Sequence, residues 1–241
     1  MTFARRIRWG VRLMVLMALV PSVWLFARWW SGNVDTVIPG RFYRSAQLGP
    51  DHLTGLIARH GCRTVLNLRG PNPSARWYRE ERDATLQAGA TQVDLPIASD
   101  LWLSKAQAQA LMEVLDSAEK PMLVHCQWGA ERTGLASAFV VLLRPGGTLD
   151  EAEQCFSIRY LFAPTRDGLT MLGHVTAYRR WLANQGWQHS PERFRHWVRH
   201  EYQPGPGSPE YWPYNPNPLM VVTSPIGPPR TLAVREEMSR H

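Results

Sequence analysis

Cysteine is scarce in this chain of 241 residues: Cys62, Cys126 and Cys155 are too few and too widely spaced for a disulfide framework. There is no Cys-x-x-Cys pair and no Cys/His cluster, so zinc chemistry is excluded and a metal-free site without cofactor is the expectation. Basic blocks are missing as well. The formal net charge is +7, yet the arginines are spread along the chain apart from a short cluster at the extreme N-terminus. That distribution argues against a nucleic-acid partner and leaves only a preference for anionic ones. No internal repeat is present. What remains, 44% hydrophobic residues in a chain of this length, is the composition of one packed catalytic core with appendages.

The first thirty residues differ in kind. Arg5, Arg6, Arg8 and Arg12 precede an uncharged run from Leu13 to Ala27, which Arg28, Trp29 and Trp30 close. Fifteen residues fall short of the roughly 20 that span a bilayer. The segment from Trp9 to Trp30 reaches that length if Arg12 and Arg28 extend their head groups to the two interfaces, where the tryptophans then also sit. The cationic N-terminal flank predicts that this end stays in the cytoplasm and that the rest of the chain lies across the membrane, on the periplasmic side. The bulky Phe26-Ala27-Arg28-Trp29 offers no small-x-small cleavage site. An uncleaved membrane helix over residues 1–33 is therefore the expectation, with a cleaved signal and secretion as the alternative.

Beyond a polar link at Ser31-Gly32-Asn33, strands and helices alternate. Val34 to Ile38, Phe42 to Arg44, Thr64 to Leu68, Thr91 to Ile97 and Pro121 to His125 read as strands. Helices are predicted over Asp51 to His60, Ala75 to Ala88, Ser104 to about Ala118, Thr133 to Leu143, from Thr148 onward, and over Leu169 to Ala183. Ser104 with Gln107, and Thr148 with Glu151, have the spacing of capping boxes. The alternation predicts an α/β three-layer sandwich over 34–187 around a largely parallel sheet. Past Trp187 the composition shifts: Ser190 to His200 reads as one more helix, and Tyr202 to Pro229, dense in proline and glycine, as extended or disordered.

One segment carries chemistry. In His125-Cys126-Gln127-Trp128-Gly129-Ala130-Glu131-Arg132-Thr133-Gly134 a strand delivers a cysteine to a tight loop, and an apolar helix starts at the loop's end. Backbone N–H groups of Gln127 to Thr133 and the positive pole of that helix can then converge on one point, which makes an anion cradle. Glycine at 129 permits the curvature, and Arg132 can fold back to present a fork to two phosphate oxygens. Beside that guanidinium the Cys126 thiol is expected to ionise near neutral pH. The Thr133 hydroxyl is placed to stabilise the sulfur as a leaving group, and His125 to orient the loop.

This segment resembles the His-Cys-x5-Arg-Ser/Thr signature of the protein tyrosine phosphatase superfamily, and Tyr43-Arg44-Ser45-Ala46-Gln47 with Thr64-Val65-Leu66-Asn67-Leu68-Arg69 resembles the opening of its dual-specificity type. The similarity runs over about residues 36 to 183. It implies a four- or five-stranded, mostly parallel sheet flanked by helices, no cofactor, and hydrolysis through a phosphocysteine on Cys126. It also implies an aspartate, on a loop after the preceding strand, that protonates the leaving oxygen. Asp100 fits that place; Asp94 lies inside the strand, where it reads as facing solvent or pairing structurally. Glu131, directly before the arginine, is a second candidate acid or a carboxylate paired with Arg132. The loop lacks the Trp-Pro-Asp of the tyrosine-specific branch, and Trp102 nearby is left for packing or closure. Arg44 and Arg69 read as structural or solvated arginines.

The substrate is left open between a lipid- or glycan-linked phosphate and a phosphotyrosine or phosphoserine protein. The absence of lysine from the loop speaks against extra phosphates, and Trp128 gives the rim an aromatic character. Two other classes stay in view: a rhodanese-like sulfurtransferase, which also sets a cysteine in an anion-binding loop, and a catalytically silent phosphate-binding module. The oligomeric state is not written in the sequence.

Overall fold

The computed structural model describes residues 3–207, 219–225 and 230–233. A 28-residue helix, α1 (Phe3–Trp30), precedes the folded domain. Its apolar side chains from Met14 to Phe26 are almost all exposed, and no part of the described chain covers them. The side chains of residues 3–8, 10, 11 and 13, which include Arg5, Arg6 and Arg8, lie outside the described set. Among the described residues no helix is long and apolar enough to cross a membrane.

The domain is built on β1 (Asp35–Ile38), β2 (Phe42–Ser45), β3 (Thr64–Asn67), β4 (Thr91–Asp94) and β5 (Met122–His125), interleaved with α2 (Pro50–His60), α3 (Arg76–Gln87) and α4 (Lys105–Ser117). Then follow α5 (Glu131–Leu143), α6 (Leu149–Gln154), α7 (Arg166–Gln185) and α8 (Pro191–His196). Both predicted capping boxes form, Ser104 with Gln107 and Thr148 with Glu151. The helix ends also follow the sequence, with Gly61 and Gly186 taking left-handed conformations at the ends of α2 and α7.

The sheet is larger and more mixed than the sequence suggested. Its order is β1-β2-β5-β3-β4-β6-β7, with the added strands β6 (Leu219–Thr223) and β7 (Arg230–Ala233) coming from the Pro/Gly-rich tail. Only β2, β5, β3 and β4 run parallel; β1 and the β6–β7 hairpin pair antiparallel at the two edges. The tail thus covers the β4 edge, which would otherwise expose a row of unpaired backbone groups. Prolines bracket the two strands and hid their short apolar runs from a compositional reading. The rest of the tail expected to be extended, residues 208–218 and 226–229, lies outside the described residues.

Successive strand residues face opposite layers. On β5, Met122 and Val124 enter the core beneath α4 to α8, whereas Leu123 enters the core beneath α2 and α3. By the same alternation His125 faces α3 and Cys126 faces α5. The larger core runs on past Trp187: Phe194, Trp197, Val198 and Tyr202 are all buried in it.

Candidate active site

Cys126 follows β5 at the carboxyl end of the parallel strands, the position where open α/β sheets bind ligands. Gln127 and Trp128 are exposed, Gly129 and Ala130 buried, and α5 begins at Glu131. Gly129 has φ +68°, and a Cβ there would stand 2.6 Å from Ala46 N. Only glycine fits that approach.

The loop is shaped by what holds its carbonyls. The backbone N–H of Gln47 donates to Gln127 O at 3.2 Å. Asn33 Nδ2 reaches Trp128 O at 3.0 Å and Gly129 O at 3.2 Å, and Arg44 Nη2 reaches Gly129 O at 2.8 Å. In a trans peptide the next residue's N–H points the opposite way. Three outward carbonyls therefore turn the N–H groups of Trp128, Gly129 and Ala130 inward.

Burial opposes ionisation of the Cys126 thiol, but Arg132, the Thr133 hydroxyl and the backbone N–H groups of Thr133 and Trp128 outweigh it and hold the pKa below the ordinary thiol value. Thr133 Oγ1 is buried without an oxygen or nitrogen partner, leaving it to the sulfur. Arg132 Nη1 donates to Ile97 O at 3.1 Å, which ties the guanidinium to the loop after β4.

Beneath the loop lies a buried polar cluster. His125 Nδ1 is 3.5 Å from Cys126 O, and Nε2 is 3.2 Å from Glu81 Oε1, off the line of a well-formed hydrogen bond. Desolvation works against the His125 charge, yet Glu81 and the neighbouring Cys126 prevail and raise its pKa. Glu81 also accepts from the Gln47 and Gln92 side-chain amides. Asp94 is fully buried and accepts from Tyr78 Oη at 2.6 Å, Asn67 Nδ2 at 2.8 Å and Gln92 Nε2 at 3.1 Å. It is a structural carboxylate and does not face solvent, which was the other reading its place in the strand allowed.

Asp100 is exposed on the loop between β4 and α4, and makes no hydrogen bond among the described residues. The loop itself is tied down. Ile97 O binds Arg132, Pro96 O accepts from Gln107 Nε2 at 2.9 Å, and the Leu103 N–H donates to His174 Nε2 at 3.2 Å. Trp102 stacks on His174 with centroids 4.4 Å apart, so it packs the loop against α7. Glu131 is half-exposed in the first turn of α5 and forms no ion pair with Arg132, one of the arrangements its position had suggested. Among the described residues no group of three His, Cys, Asp or Glu side chains is arranged to hold a metal ion.

Sequence reasoning missed three residues that build the site. Asn33 was read as linker, Gln47 only as part of a resemblance, and Glu81 was not singled out within the helix predicted over Ala75 to Ala88. For Glu81 a signal existed: it falls on the same face of α3 as the buried Tyr78, Ala84 and Thr85.

Residues 31–153, just over half of the chain, match the family described as a DSP-PTPase phosphatase fused to NAD+ kinase. The chain belongs to this phosphatase family. No curated protein matches it. Among solved structures, it is similar to the catalytic core of the PP-IP phosphatase SIW14 from S. cerevisiae, at 20% identity and TM-score 0.47, covering 64% of this chain and 93% of that one. It is likewise similar to TpbA from P. aeruginosa, at 24% identity and TM-score 0.46, covering 60% of this chain and 88% of that one.

Proposed function

We propose that this member of the phosphatase family hydrolyses phosphate monoesters through a phosphocysteine on Cys126. The observation that carries the reading is the setting of Cys126, where Arg132, the Thr133 hydroxyl and the backbone N–H groups of Thr133 and Trp128 converge on the sulfur and hold its pKa below the ordinary thiol value. In the first step the sulfur attacks phosphorus, the bond from phosphorus to the leaving oxygen breaks, and Asp100 gives that oxygen its proton. In the second step Asp100 takes a proton from water, whose oxygen attacks phosphorus; the S–P bond breaks and inorganic phosphate leaves. Through both steps the loop N–H groups and the Arg132 fork hold the equatorial oxygens, where the main rate enhancement arises.

The same reading includes membrane attachment through α1, with the domain on the periplasmic side. Its support is the uncovered apolar surface of α1, with Trp9 near one end and Trp29 and Trp30 at the other, all exposed. A phosphate ester carried by a lipid or glycan is the favoured substrate over a phosphoprotein, because ATP to phosphorylate proteins is scarce on that side.

Hydrolysis of p-nitrophenyl phosphate by the full chain, beside Cys126→Ser and with vanadate and EDTA, tests the chemistry. Turnover that requires Cys126, stops with vanadate and ignores EDTA supports it. Absence of turnover, with persulfide formation from thiosulfate, replaces it by the sulfurtransferase reading.

A further inference from the structure

The catalytic loop contains no lysine, yet a second guanidinium stands beside it in the turn after β3. We propose that Arg69 forms a second anion subsite at the rim of the catalytic loop, selecting phosphate monoesters that carry another phosphoryl group close to the one Cys126 attacks. This rests on the phosphatase reading and narrows its substrate class.

The backbone places Arg69 next to the loop. Leu68 N–H donates to His125 O at 2.9 Å, so the chain leaves β3 alongside the strand that delivers Cys126. Asn67 Oδ1 accepts the Arg69 N–H at 2.9 Å, and Gly70 turns the chain with φ +76°. A Cβ at Gly70 would stand 2.6 Å from Pro96 Cβ, so the turn packs on the loop after β4.

The side chain is held in place but not used up. Its guanidinium lies over the Trp77 ring, 3.5 Å from the centroid, and Nη1 donates to Gln47 Oε1 at 2.9 Å. Gln47 in turn binds Gln127 O of the catalytic loop through its own N–H. Nε and Nη2 make no hydrogen bond, and no carboxylate forms an ion pair with Arg69, among the described residues. Arg69 is half-buried, so these two nitrogens stay open to solvent or to a ligand. Here one face and one nitrogen fix the fork, leaving the remaining donors pre-organised for an oxyanion. Burial and then the nearby Arg132 both disfavour its charge, a repulsion that an anion bound between the two guanidiniums would relieve.

The test compares methylenebisphosphonate with methylphosphonate as competitive inhibitors of p-nitrophenyl phosphate hydrolysis by the full chain. The wild type is expected to bind the bisphosphonate at least about tenfold more tightly, a typical gain from one charge-assisted contact. Arg69→Gln is expected to remove that preference, and Arg69→Lys, which keeps the charge without the fork, to retain part of it. A structural role would weaken both inhibitors by the same factor; that result, or equal affinities in the wild type, overturns the proposal. If Arg69→Gln fails to fold, Trp77→Leu removes the platform under the guanidinium and reads the same ratio. If the protein turns over no substrate, the phosphatase reading has failed by itself, and the two affinities are measured by titration calorimetry instead.

Discussion

Asn33, at the foot of α1, donates its side-chain amide to the Gly129 carbonyl of the catalytic loop at 3.2 Å. The same nitrogen reaches Trp128 O at 3.0 Å and Tyr160 O at 2.8 Å, and Asn33 Oδ1 accepts from Arg28 Nη2 at 2.9 Å. Helix α1 and the loop that holds Cys126 thus share one fully buried residue. Asn33→Asp puts a carboxylate oxygen where three carbonyls need a donor. The expected cost is on the order of 3 kcal/mol, read as a shift in the urea midpoint. Because the loop's inward N–H groups depend on its outward carbonyls, kcat on p-nitrophenyl phosphate should fall as well. A variant with wild-type midpoint and wild-type kcat would show that Asn33 does not shape the loop.

Arg44 performs the same task from the other side. It is 1% exposed, donates to Cys155 O at 3.2 Å and Gly129 O at 2.8 Å, and lies 3.8 Å over the Tyr160 ring. Arg44→Ala leaves the Cys155 carbonyl unpaired, Gly129 O with Asn33 as its remaining side-chain donor and the ring uncovered, a loss on the order of 3 kcal/mol in chemical denaturation. Arg44→Lys cannot span both carbonyls and should lie between the two. Equal stability of all three proteins would refute a structural role for the guanidinium.

These two residues mark the limit of what could be read from the sequence. Cys126, Gly129, Arg132 and Thr133 were legible because a local segment, strand then loop then helix, contains their geometry. The caps at Ser104 and Thr148 were legible for the same reason. Asn33, Gln47 and the partners of Arg44 and Glu81 were not, since each acts across 34 to 111 residues of sequence separation; the helical periodicity of α3 marks Glu81 as buried but not what it binds. The β6–β7 hairpin was missed because a strand added to a sheet edge depends on the edge being available, which the tail's composition does not reveal.

His174 links acid sensitivity to the loop that bears Asp100. It is fully buried between Trp102 and Tyr202, and its Nε2 must be unprotonated to accept the Leu103 N–H, while Nδ1 faces the Thr170 and Met171 carbonyls. Burial lowers its pKa to about 4. Between about 6.5 and 4 the unfolded chain binds a proton that the folded protein refuses, so stability falls as pH falls through that window. The loss attributable to this one group is on the order of 3 kcal/mol. Denaturation midpoints from pH 7 to 4, for wild type beside His174→Gln, check it: the variant's profile should be flatter by that amount, and parallel profiles would remove His174 as the cause.

Alkylation separates the two chemical roles at the site. Burial pushes the Cys62 and Cys155 thiols up to about 11, so iodoacetamide near neutral pH should label Cys126 alone. The rate should rise with pH through a midpoint below the ordinary thiol value of about 8.5, since the thiolate is the reacting species. Thr133→Ala removes a hydrogen bond to the sulfur and should move that midpoint up. Asp100→Asn, which changes no contact of the sulfur, should leave the midpoint where it is and yet lower kcat by roughly 10² to 10⁴, most for esters with poorly acidic leaving alcohols. An Asp100→Asn protein with full activity on such esters would transfer the acid role to Glu131, where Glu131→Gln should then show the same loss.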